Sequence, residues 1–106
     1  MYPTPSQRDK MRIQNELKAE IIKLLQLLKT VDCNAELIYE EENVVEQLGR
    51  IEEFFDEICD NLSEVRDYMM TLLEYMIDDS NVEVRNIVPQ LWKVIKLLRQ
   101  LCPFDK

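Results

Sequence analysis

Histidine is absent from this sequence, and glycine, cysteine and proline are scarce, at one, three and four residues. Without His, neither a Ser-His-Asp nor a Cys-His nucleophilic arrangement can be assembled, and the paired Glu-x-x-His motifs of a di-iron bundle are excluded as well. Zinc would need a shell of thiolates, yet Cys33, Cys59 and Cys102 are far apart, odd in number and contain no Cys-x-x-Cys pair. All three are expected to be reduced and buried. The single glycine, Gly49, cannot supply a phosphate-cradling loop, which needs several backbone N–H groups approached without side chains. The acidic runs Glu40-Glu41-Glu42 and Glu52-Glu53 lack the glycine turn and ligand spacing of a Ca or Mg loop and read as solvated helix faces. The expectation is a chain that is not an enzyme, with no catalytic residue, metal site, cofactor or small-molecule substrate.

No stretch approaches eighteen uninterrupted apolar residues, and the first ten residues lack the apolar core of a secretory signal. An intracellular protein, cytoplasmic or nuclear, without a membrane association is therefore expected. A length of 106 residues with 46% apolar and 32% charged side chains suits one folded domain. Its expected bounds are 6–102, flanked by a flexible segment at 1–5 and a tail at 103–106.

Strands and hairpins need Gly and Pro as punctuation, and here Leu, Glu, Ile and Lys dominate instead, so the fold class is all-α. Ser6, after Pro3 and Pro5, is placed to start a first helix over 6–31, with Leu17, Ile21, Leu24, Leu28 and Val31 along its inner face. Ile22, Leu25 and Leu27 widen that face. After a break at Asp32, Cys33 and Asn34, the residues Val44, Leu48, Ile51, Phe55, Ile58, Leu62, Val65, Met69, Leu72 and Met76 follow steps of four and three through 33 residues. This phase favours one long helix over 35–77; the polar cluster Asp60, Asn61 and Ser63 offers a turn as the alternative. Asp78, Asp79, Ser80 and Asn81 form the next break, and Ser80 with Glu83 reads as a capping box for a last helix from about 81. That helix carries Val84, Ile87, Leu91, Val94, Leu98 and Leu101 inward, with Pro89 predicting a kink near Arg85 or a start nearer Asn86.

The architecture that follows is an antiparallel bundle of three helices with a long central one, or of four if that helix breaks near residue 61. A long central helix would leave Phe54, Tyr68 and Tyr75 bare on one flank and Val45, Cys59 and Leu73 on the other, and bare flanks would be completed by dimerisation. The stretch from Leu72 to Leu91, through Asp78, Asp79, Val84 and Arg85, resembles the junction between two HEAT repeats, an acidic turn ahead of a Val-Arg at the next helix start. The resemblance covers one junction, whereas that family buries its core by stacking several repeats.

Charge is divided along the chain. Residues 1–31 carry six basic and three acidic side chains, 32–83 carry two and seventeen, and 84–106 carry five and one. Opposite signs favour ends that fold against the middle. Two surfaces stand out as partner-binding candidates: Arg85, Trp92, Lys96 and Arg99, a basic stripe with one large aromatic at its centre, and the aromatic flank Phe54, Tyr68 and Tyr75. The ten-residue seam from Val44 to Met76 is the candidate oligomer contact. The functional expectation is a non-catalytic protein-protein interaction module, a helical adaptor or structural subunit with a protein partner in a homo- or hetero-oligomer. An alternative is an acidic inhibitor or nucleic-acid mimic whose middle segment occupies a basic cleft. Direct nucleic-acid binding is disfavoured, since it would need the two basic ends to join in one patch.

Overall fold

The computed structural model describes residues 7–31, 44–59 and 61–101, and every regular element in them is a helix. The elements are α1 (Gln7–Thr30), α2 (Val44–Glu53), the single turn α3 (Phe55–Ile58), α4 (Ser63–Ile77), the single turn α5 (Val82–Arg85) and α6 (Val88–Leu101). Residues 1–5 and 103–106, Cys33, Cys102 and Glu40 to Glu42 lie outside the described residues.

Helix α1 is the strut. Leu17, Ile21, Leu24 and Leu28 are fully buried, Leu25 is buried beside them, and Val31 is half-buried. Leu27 departs from the expected stripe and keeps 40% of its surface exposed, because it lies a third of a turn past the inward face. α1 packs against α6 most extensively and also against α2, while α6 packs against α4. Contact between α1 and α6 was not an expectation of the sequence, which assigned each end only to the middle segment. Two side-chain bonds fasten α1 to its neighbours. Gln14 donates to the Cys59 carbonyl at 3.4 Å, and Gln90 of α6 donates to the Glu20 carbonyl at 3.1 Å and to the Glu20 carboxylate at 2.5 Å.

The unbroken helix favoured over 35–77 does not form among the described residues. Phe54 leaves the helical region at φ −101° and ψ 19°, Cys59 ends α3, and Leu62 (φ −94°, ψ 5°) precedes α4. Ser63 Oγ donates to Asn61 Oδ1 at 3.0 Å, so the polar cluster at this point serves the turn. Length supplies the physical reason. A helix from 44 to 76 would extend about 50 Å at 1.5 Å per residue, beyond the 43 Å of the molecule's longest dimension. Breaking it lets α2 lie on α1 and α4 on α6. The seam survives the break: Val44, Leu48, Phe55, Leu62, Val65, Met69, Leu72 and Met76 are buried, while Ile51 and Ile58, which flank the break, are half-buried.

The C-terminal part starts with a cap one residue later than expected. Asn81, rather than Ser80, accepts the Glu83 N–H at 2.9 Å, and Asp79 accepts the Asn81 N–H at 2.8 Å. A turn at Asn86 and Ile87 then separates α5 from α6. Pro89 consequently falls in the first turn of α6, where its missing N–H leaves no helical bond unmade. Val84, Ile87, Leu91, Val94 and Leu98 are buried and Leu101 is half-buried. The expected burial of Cys59 is corrected: it is half-buried at a turn, its thiol donating to the Asp56 carbonyl at 3.3 Å. No helix among the described residues is long and apolar enough to cross a membrane.

Three outcomes follow for stability. Leu72 is fully buried between α4 and its neighbours, so Leu72→Ala should lower the urea-unfolding free energy by about 2–5 kcal/mol, while Leu27→Ala should stay within about 0.5 kcal/mol. Gly49 lies inside α2 with no positive φ and open space where a Cβ would be, so Gly49→Ala should raise stability by roughly 0.5–1 kcal/mol in the same measurement. The Gln90 hydrogen bond, assisted by Lys23 and Lys93, holds the Glu20 carboxyl below its ordinary value of 4.5 against the opposing effect of partial burial. A carboxyl lowered by folding stabilises fully above its unfolded pKa and loses that contribution as pH falls through the folded value. The stability difference between the natural chain and Gln90→Leu should therefore shrink below about pH 4.5 and hold constant above pH 6.

Candidate functional site

The break in the middle segment does more than shorten a helix. Where α2 and α3 end and α4 begins, the three leave a groove of about 480 Å³ lined by Arg50, Ile51, Phe54, Glu57, Ile58, Asn61, Glu64, Val65 and Tyr68. Its floor is apolar and its rim is polar. Phe54 stands on the rim with 43% of its surface exposed because it occupies the turn between α2 and α3, off both helical faces. Ile51 and Ile58, the two seam residues left half-buried, line this groove, so the seam is closed internally everywhere except here. A volume of this size lies within the range of pockets that accept a ligand or a cluster of partner side chains.

The expected aromatic flank is only partly brought together. Phe54 and half-buried Tyr68 share the groove, while Tyr75, 37% exposed, lies near the far end of α4 and does not line it. The opposite flank is largely covered, since Leu73 is buried and Val45 is half-buried. Arg50, Glu57, Asn61 and Glu64 were not assigned to any site from the sequence. Their convergence depends on the turn, and the only signal for it was the polar cluster around Asn61.

The basic stripe is on the outer side of α6. Trp92 keeps 36% of its surface exposed, with Lys96 and Arg99 exposed on the same helix at helical spacing, whereas Arg85, exposed on α5, is separated from them by the turn at Asn86 and Ile87 and does not continue the expected stripe. A shallow depression between α6 and α1 runs beside the stripe, lined by Glu16, Ala19, Glu20, Lys93, Lys96, Leu97 and Gln100. The two basic ends therefore do meet, but through a surface that alternates acid and base. That arrangement dilutes the single positive patch a phosphate backbone requires. On α2 to α4 the carboxylates Glu46, Glu53, Asp56, Glu57, Glu64 and Asp67 are exposed.

Among the described residues no group of His, Cys, Asp or Glu is arranged to hold a metal ion. The thiol of Cys59 donates to the Asp56 backbone carbonyl. Compared with protein-family models, curated proteins and solved structures, the chain matches none of them.

Proposed function

We propose that this chain is a non-catalytic protein-protein interaction module, a small helical adaptor or structural subunit of an intracellular multiprotein assembly, and that the groove between α2, α3 and α4 receives its partner. The observation that carries the reading is the single opening in an otherwise self-covered seam. Eight of the ten seam side chains are buried within the chain, and the remaining two face the groove together with an exposed phenylalanine. Exposing Phe54 to water costs roughly 25 cal/mol for each Å² of apolar surface, and a partner side chain seated there recovers it. An antiparallel bundle closed within one chain fits this reading better than the seam-mediated dimer, because the ten-residue seam has little surface left to offer a second chain.

The exposed carboxylates of α2 to α4 favour one further reading, an acidic inhibitor or nucleic-acid mimic lying in a basic cleft. The two differ in what holds the complex. A groove contact persists at about 0.5 M salt, where the screening length is only several Å, and a charge-held mimic is released.

A photoreactive phenylalanine analogue at position 54, installed in cells with position 27 as the control, tests both. The groove reading expects a discrete protein adduct from 54 and none from 27, formed also when irradiation is carried out in lysate at about 0.5 M salt and lost when Ile58→Asp places a charge on the apolar floor. No adduct from 54, or equal labelling from 27, removes the groove as the binding site. Adducts that vanish with salt favour the mimic.

A further inference from the structure

We propose that the groove of one chain seats the Trp92 stripe of a second copy of the same chain, an inference that rests on reading the groove as a binding surface. The two surfaces are complementary in three respects. The groove is apolar, bordered by an aromatic ring, and open at a volume of about 480 Å³; Trp92 is a large ring, 36% exposed, with no place in the chain's own core. The groove rim carries Glu57 and Glu64, with Glu53 and Asp56 exposed on the adjoining turns; on α6 Trp92 has Lys93 beside it and Lys96 one turn on, both exposed. Arg50, the one cation in the groove lining, runs against the pattern, and the exposed carboxylates Glu53, Asp56, Glu57 and Glu64 outnumber it. Finally, groove and stripe sit on different elements, α2 to α4 and α6, so one chain presents both halves of the contact.

A contact that joins two unlike surfaces of identical chains is isologous when it is exchanged reciprocally about a two-fold axis and heterologous when it is not. It either closes reciprocally, each Trp92 in the other's groove, or continues from chain to chain. A single aromatic anchor makes a small interface, so the association belongs to the weak, transient class.

The chain has one tryptophan, so its fluorescence reports Trp92 alone. Sedimentation over roughly a hundredfold concentration range, spanning the micromolar affinities of small interfaces, should show mass rising above that of a monomer. Emission should move to shorter wavelength in step with the mass. Trp92→Ala and Phe54→Lys, both at exposed positions and checked for unchanged helix content by circular dichroism, should each remain monomeric. Mixed, they should form a one-to-one complex, because the first retains the groove and the second retains the stripe, and the emission of the Phe54→Lys partner should shift. Adding Glu57→Lys and Glu64→Lys to the Trp92→Ala chain, whose groove is then its only binding half, should abolish the complex with Phe54→Lys, and adding Lys96→Glu to the Phe54→Lys chain should restore it.

A chain that stays monomeric throughout overturns the inference, as do association that survives Trp92→Ala and a mixture of the two variants that fails to combine. If that occurs while the analogue at position 54 still captures a different protein in cells, self-recognition falls and the interaction module stands. If position 54 captures nothing, both fall.

Discussion

The burial of one face of α1 is the constraint on which the structure depends. Leu17, Ile21, Leu24 and Leu28 are withdrawn from water entirely, and α1 packs on two neighbours, α6 and α2. α6, at 14 residues, covers one stretch of a 24-residue helix, and the 10-residue α2 takes another contact along it. Covering a broad stripe with two short helices requires them to approach from different directions. That requirement, rather than local helix preference, decides where the rest of the chain turns.

The middle segment bears the consequence. Local propensity favours continuity from Val44 to Met76, since neither proline nor an unfavourable run interrupts it and the apolar steps hold their phase. Continuity would project half of that seam beyond the reach of α1 and α6. The hydrophobic term is proportional to area removed from water, so bending the seam back over both partners outweighs the few helical hydrogen bonds lost between Cys59 and Leu62; at Phe54 the N–H still donates to the Arg50 carbonyl and the carbonyl still accepts from Ile58. Part of that loss is offset locally. The Cys59 carbonyl takes a bond from Gln14, and the Arg66 N–H finds the Leu62 carbonyl at 2.8 Å, which starts α4 in register.

This competition explains which features were legible in the sequence. The helical class, the inward stripes of the first and last segments, the break after Ile77, and the helix start near Asn81 all depend on patterns of four to seven residues, and those patterns are explicit. Whether a seam in unbroken phase is one helix or two is not a local property. It depends on the lengths of α1 and α6 and on the space between them, which no periodicity encodes. Phase is preserved across the turn because both halves face the same core, so the argument from phase to continuity failed on a premise about turns. The groove was illegible for the same reason: Phe54 and Tyr68 were picked out as aromatics, yet Glu57, Asn61 and Glu64 acquire a shared location only once the chain turns.

Polar groups are distributed in a way that limits where specificity can reside. Among the described residues none of the buried side chains is polar or charged, so the interior carries no hydrogen-bond network to distinguish one ligand or one protonation state from another. Recognition must then use the exterior, where two large aromatics, Phe54 and Trp92, stand among charges of opposite sign. An aromatic on a surface is costly to leave in water and easily satisfied by any apolar partner, and the charges around it discriminate, since like-charge juxtaposition penalises a wrong partner more than a surface ion pair rewards a right one. The acid around Phe54 therefore repels acidic helices, including this chain's own middle segment, and the cations around Trp92 repel basic ones. Segregating charge by segment leaves one permissive pairing for each aromatic, and in the proposed self-contact those two pairings are one contact seen from either side.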